Sequence, residues 1–101
     1  MIITGGLNVY PAEVERVIAQ HPTVLEAAVV GVPDTQWGEI GSTLVVLHPG
    51  NDLGEDELTD YLKQQLANYK IPRRFTFAHD PLPRTTSGKV QEFKVKERLG
   101  A

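Results

Sequence analysis

No cysteine occurs anywhere in the chain, which at once excludes disulfides, thiolate zinc sites and a cysteine nucleophile. Histidine is sparse, and His21, His48 and His79 are too scattered to suggest a metal site. No apolar run approaches the ~20 residues that cross a bilayer, and the N-terminus lacks the basic region followed by an apolar stretch that marks a secretory signal. A cytoplasmic protein without a membrane span is therefore expected. Internal repeats, linkers and low-complexity segments are also missing. What is there is ordinary: 101 residues, 41% hydrophobic and 23% charged, which describes one small domain. A chain of this length buries roughly 60–65% of the surface its unfolded form exposes.

Charge is unevenly placed. The net charge is −3, yet from Lys70 onward eight basic residues (Lys70, Arg73, Arg74, Arg84, Lys89, Lys94, Lys96 and Arg98) face only Asp80, Glu92 and Glu97. The last third is expected to form a local cationic surface. Such a surface attracts nucleic acid in some proteins, but so short and mixed a run suits a small phosphorylated ligand as well.

Periodicity gives an outline of the fold. Pro11 suits a first helical position, and Val14, Val17 and Ile18 follow at helical spacing until His21-Pro22 ends the run. VLEAAVVGV and STLVVL are short β-branched runs that predict strands, divided by PDTQWGEIG, whose Pro, Asp and Gly residues suit a loop. Glu55-Asp56-Glu57 places negative charge at the start of a second helix, with Leu58, Tyr61, Leu62 and Leu66 on one face and an end near Asn68. Pro72 bars further helix. RRFTFAH alternates as a third strand, PLPRTTSG is a loop, and VQEFKVKERL predicts a last helix. The expected class is α+β, about three strands with flanking helices.

Two features stand apart from this outline. Gly5-Gly6 lies almost at the N-terminus, and adjacent glycines mark either a tight turn or a close approach by another group. Near the other end, SGK places Lys89 between a glycine and a valine. A phosphate-binding P-loop is excluded, because Pro83 stands where the pattern needs glycine and Val90 where it needs Ser or Thr. Lysine is a compact point charge on a flexible stem, fit to reach a phosphate from a mobile loop. Gly88 would free that loop, and the hydroxyls of Thr85, Thr86 and Ser87 could order it or meet a ligand. A solvated lysine satisfies the same residues.

ITGGLNVYPAEVE and PLPRTTSGKV together resemble two signature motifs of the adenylate-forming superfamily, which holds acyl-CoA synthetases, peptide-synthetase adenylation domains and luciferases. VLEAAVVGVPDTQWGE and NYKIPRRF also look like the C-terminal domain of that superfamily, most of all that of its acyl- and aryl-CoA ligases. The resemblance covers essentially the whole chain. It implies that residues 1–101 are the small, mobile C-terminal domain of an ATP-dependent acyl-CoA synthetase, that the large ATP-binding N-terminal domain is absent here, and that the isolated chain is inactive.

The resemblance also implies roles. Pro83, Thr85, Gly88 and Lys89 meet the loop pattern Pro-x-Thr-x-x-Gly-Lys, so Lys89 matches the catalytic lysine of adenylation, with Thr85 and Gly88 supporting its loop. Gly5 and Gly6 match the wall of the channel for the pantetheine arm of CoA. Trp37, Tyr69 and Arg73 match positions that meet the CoA nucleotide, offering ring faces for adenine and charge for phosphate. ATP with Mg2+, held mainly by the N-terminal domain, and CoA are the implied cofactors. The implied partners are that N-terminal domain and a small carboxylic acid, not nucleic acid. Glu13 and Glu15 match a Glu-Val-Glu taken as helix and interface structure. Glu92 departs from the pattern, which commonly has Lys or Arg there. Two alternatives remain: the equivalent piece of a peptide-synthetase adenylation domain, and a stand-alone module binding RNA or protein.

Overall fold

In a computed structural model that describes residues 1–100, the chain runs β1 (Ile2–Thr4), β2 (Leu7–Val9), α1 (Pro11–Ala19), β3 (Val24–Asp34), β4 (Gly38–Leu47), α2 (Glu55–Lys63), β5 (Arg74–Ala78) and α3 (Glu92–Arg98), with a 3-10 turn at Asn68–Lys70. The α+β expectation holds, but the sheet has five strands rather than three. The additional pair is the hairpin β1–β2, in which Thr4 opposes Leu7 across a two-residue turn. Gly5 and Gly6 occupy that turn with φ of +56° and +82°. Positive φ at both central residues gives the mirror-image turn whose twist matches paired strands, and glycine adopts it without a Cβ penalty. Three residues per strand are too few to show alternation, which is why the pattern alone did not reveal the hairpin.

The central strand is β4. It pairs antiparallel with β3, parallel with β5 from Ser42↔Arg74 to Val46↔Ala78, and meets β1 at Thr4↔Gly38. A parallel neighbour requires a crossover, and α2 supplies it between β4 and β5. The expected PDTQWGEIG loop is mostly strand, since β3 continues through Pro33-Asp34 and β4 resumes at Gly38. Pro33 is tolerated because β3 ends the strand order, where a missing N–H breaks no ladder on the open side. The connection narrows to Thr35-Gln36-Trp37. It is fixed by the Asp34 carboxylate, whose Oδ2 accepts hydrogen bonds from the backbone N–H of Gln36 and Trp37 at 3.0 and 2.9 Å.

Helices cover both faces. On one, Val14, Val17 and Ile18 of α1 and Leu58 and Leu62 of α2 pack with Ile2, Val9, Val29, Val45 and Leu47, joined by Phe75 and Phe77. On the other, Val95 of α3 packs with Leu82, Ala28, Val30, Val32, Leu44 and Val46, and Trp37 and Val90 lie against them. Each fully buried Val or Leu contributes about 1.5–3 kcal/mol relative to exposure. α2 stops at Lys63 instead of near Asn68. Leu66 turns back to donate to the Leu62 carbonyl at 2.8 Å and keeps its side chain against the first core. Pro72 then disfavours helical backbone at Ile71. Among the described residues no helix is long and apolar enough to cross a membrane.

One buried group is unmatched. Thr43 on β4 is fully buried, and its hydroxyl has no hydrogen-bond partner among the described residues.

Candidate functional site

The β1–β2 turn and the β3–β4 turn are locked together. Gly5 N–H donates to the Trp37 carbonyl at 2.9 Å, and a Cβ on Gly5 would lie 2.9 Å from Cε3 of the Trp37 ring. Gly5 is thus required twice, by its backbone and by the indole against it. Gly6 differs: its φ is equally left-handed, but no atom lies within 4 Å of where its Cβ would be, so it faces open space.

Beside this lock opens a groove of about 260 Å³, lined by Gly5 and Trp37, by Tyr69, Lys70 and Arg73, by Lys63 of α2, and by the apolar side chains of Ile2, Val9 and Val29. The segment after the 3-10 turn is held to the sheet by Arg73 N–H, which donates to the Gly41 carbonyl at 3.1 Å. The Arg73 guanidinium carbon then sits 4.2 Å from the centre of the Trp37 ring, a cation–π contact. One face of the indole is therefore occupied by Arg73. Tyr69 is exposed. Lys70 reaches back to α1, with Nζ 3.0 Å from Glu13 Oε1 and 3.2 Å from Oε2. That hydrogen bond is the main reason its pKa rises above the ordinary lysine value, so Lys70 is a fixed cation at neutral pH.

Of the residues singled out from sequence, Gly5, Trp37, Tyr69 and Arg73 come together in this groove, with Gly6 adjoining through the turn. Lys63 was missed. It lies on a helix that opens with three acidic residues, and only the crossover from β4 to β5 brings it here. Lys63, Lys70 and Arg73 line the groove; Lys70 is matched by Glu13, so Lys63 and Arg73 are the cations best able to draw phosphate.

Lys89 lies elsewhere. Its segment packs through Leu82, Val90 and Val95 on the α3 face, while the groove's apolar floor belongs to the face of α1 and α2. The expected free loop is instead a small braced hairpin. Arg84 and Val90 form an antiparallel bridge, Thr85 N–H donates to the Lys89 carbonyl at 2.8 Å, Gly88 N–H to the Thr85 carbonyl at 2.9 Å, and Gln91 N–H to the Pro83 carbonyl at 2.8 Å. The Thr85 hydroxyl accepts from Lys89 N–H at 3.2 Å and lies 2.8 Å from the Ser87 hydroxyl. Gly88 makes the turn at φ +91°. Lys89 itself is exposed at the end of this structure and joins no ion pair among the described residues.

The cationic last third is not a single free surface. Arg84 pairs with Glu26, and Lys96 lies 4.0 Å from Glu92. Arg98 donates to the Pro81 and Asp80 carbonyls at 2.7 and 3.3 Å. Glu92 has a local role of its own as the acidic residue in the first turn of α3, where negative charge is favoured. Glu15 ties α1 to β3 by accepting from Val29 N–H at 2.9 Å. Burial, more than the nearby Glu92 charge, pushes its pKa above the usual glutamate value.

Comparison with known proteins now bears on this arrangement. The model of the AMP-binding enzyme C-terminal domain family matches residues 13–89. The chain belongs to that family. Feruloyl-CoA synthase of an Amycolatopsis species is 47% identical over 100 residues, which is 99% of this chain and 20% of the relative. Long-chain-fatty-acid–CoA ligase FadD13 of Mycobacterium tuberculosis is 44% identical over 101 residues, 100% of this chain and 20% of the relative. Among solved structures, the Mycobacterium tuberculosis fatty acyl CoA synthetase superposes with a TM-score of 0.88 at 44% identity, over 97% of this chain and 19% of that one. The o-succinylbenzoate CoA synthetase MenE of Bacillus subtilis, in complex with its acyl-adenylate intermediate, gives 0.86 at 46% identity, over 94% and 19%. This family domain thus spans about a fifth of the length of the curated relatives it matches.

Proposed function

We propose that this chain is the mobile C-terminal domain of an AMP-forming acyl-CoA ligase, a single domain that works in the cytoplasm against a large ATP-binding domain and is inactive alone. The observation that carries this reading is the presence of two separate equipped surfaces: an exposed lysine on a braced hairpin, and a glycine-turned cationic groove that does not include that lysine and whose apolar floor belongs to the α1 and α2 face. Such a domain can present each surface in turn to one active site.

In the first step the carboxylate oxygen of an acid attacks the α-phosphorus of ATP, and the bond to pyrophosphate breaks to leave acyl-adenylate. Negative charge gathers on the phosphoryl oxygens and the departing pyrophosphate, and the Lys89 ammonium stabilises it there. A hairpin that already holds the Lys89 backbone reduces the reorganisation needed at that moment. Magnesium would travel with the ATP phosphates, which this reading assigns to the large domain.

In the second step the thiol of CoA attacks the acyl carbon, loses its proton, and AMP departs. Gly6, with open space where a side chain would stand, lets the pantetheine arm pass. Lys63 and Arg73 meet the phosphates of the CoA nucleotide, with Trp37 beneath Arg73 and exposed Tyr69 supplying a ring for adenine. The cationic lining favours free CoA over a carrier protein as acceptor.

The test uses a full-length ligase carrying this chain as its C-terminal fifth. Lys89→Ala should slow adenylation by ~10²–10³, the usual cost of one preorganised electrostatic contact, while acyl-adenylate supplied directly is converted to thioester at near wild-type rate. Gly6→Leu should do the reverse. Equal slowing of both steps by Lys89→Ala would refute the division of labour.

A further inference from the structure

The stem of the Lys89 hairpin is tied to a strand residue far earlier in the chain. Glu26, on β3, is half-buried, and its two carboxylate oxygens are both engaged by the stem of the lysine hairpin. Oε2 accepts from Leu82 N–H at 2.9 Å, and Oε1 lies 2.6 Å from Nη1 of Arg84. Leu82 is buried in the core beneath α3, so this anchor is a fixed point of the sheet. Arg84 pairs across the hairpin with Val90, and the next rung joins Thr85 to Lys89. From the rigid strand to the lysine backbone the path is therefore Glu26, Arg84, then one rung.

We infer that Glu26 is a positioning residue for Lys89: it touches neither substrate nor the reacting atoms, but holds the hairpin stem so that the ammonium stands at one height above the sheet. The inference rests on reading Lys89 as the adenylation lysine. Hydrogen bonds to a charged acceptor are the stronger kind, and the side chain on the sheet side is only 18% exposed, so water replaces it poorly. The second brace, Arg98 on the Asp80 and Pro81 carbonyls, is attached upstream of Leu82; at the rung itself Val90 packs on the core and Gln91 N–H holds the Pro83 carbonyl, while Glu26 makes the ion pair with the Arg84 side chain. Glutamine in place of Glu26 would keep an acceptor for Leu82 N–H but lose the charge that draws Arg84.

Two measurements on Glu26→Gln test this. In the 101-residue chain, amide exchange at Thr85, Gly88 and Gln91, the hairpin donors, should quicken about tenfold or more as the stem opens locally, with β4 amides unchanged. In the full-length ligase, adenylation should fall about tenfold to a hundredfold, thioester formation from supplied acyl-adenylate should hold, and in a Lys89→Ala background the substitution should add nothing. Arg84→Gln should reproduce both results. Unchanged hairpin exchange overturns the inference, as does faster exchange with adenylation intact while Lys89→Ala abolishes it. If Lys89→Ala itself spares adenylation, the reading of Lys89 falls, and the exchange data still report whether Glu26 clamps the stem.

Discussion

Alanine at Gly5 and at Gly6 should destabilise the domain by different amounts, and the structure sets the difference. Both backbones are left-handed, at φ +56° and +82°, which costs an L-residue about 1–2 kcal/mol. Loss of unfolded-chain freedom returns about 0.4–1 kcal/mol in each case. For Gly6→Ala nothing else changes, because the new methyl meets no atom within 4 Å, and the net loss should be about 1 kcal/mol. Gly5→Ala additionally drives a methyl to 2.9 Å from Trp37 Cε3. The indole cannot simply swing away, since Asp34 fixes its backbone and Arg73 lies on its ring. Overpacking of that kind adds about 1–3 kcal/mol, for a total of about 2–4. Urea unfolding of both variants measures the gap. Adding Trp37→Ala to each should shrink the Gly5 penalty toward the Gly6 value and leave the Gly6 penalty alone. Equal losses for the two single variants would show that the ring contact does not constrain Gly5.

Thr43→Val keeps shape while removing the unpartnered hydroxyl, and should stabilise the domain by about 1–2 kcal/mol in the same urea assay; a loss would mean the hydroxyl is satisfied. In the full-length ligase, Trp37→Ala and Arg73→Ala should each raise the KM for CoA several-fold with acyl-adenylate formation nearly intact, and an unchanged KM in both would leave them as packing residues. Glu15 has a folded pKa above its unfolded one, so the folded state binds its proton more tightly and gains stability from it as pH falls through the raised value toward the ordinary glutamate range. That contribution is fully present below the unfolded pKa and lost as pH rises through the folded pKa. Glu15→Gln should flatten this part of the pH–stability curve, and an unaltered slope would show that burial does not set it.

The sequence carried most where a pattern is long or chemically constrained. α1 was visible because Pro11, three periodic apolar residues and His21-Pro22 agree, and the two longest strands because β-branched runs have few other uses. Where one residue's conformation depends on a distant partner, the pattern was silent. PDTQWGEIG has loop composition, yet β4 carries Gly38-Glu39-Ile40 into the sheet, with Ile3 N–H donating to Glu39 Oε1 at 3.0 Å. Gly5-Gly6 was noticeable, but its partner Trp37 is thirty-two positions away. Trp37 and Arg73 were each found singly, whereas the stack that joins them belongs to tertiary structure. Glu26 had no local signal at all, being one acidic residue in an apolar strand whose meaning lies with Arg84.

The Glu15–Val29 hydrogen bond also has a consequence for solubility. β3 is a long, strongly apolar strand at the margin of the sheet, the kind of template on which a second chain can add a strand and begin an aggregate. Val29 directs its N–H away from β4, and the carboxylate of α1 occupies that donor. The half-buried carboxylate makes intermolecular pairing there costly, because an incoming strand would have to displace it from a hydrogen bond it already holds. The helix that builds the first core therefore also guards the most adhesive stretch of the chain, and partial unfolding that releases α1 exposes both together.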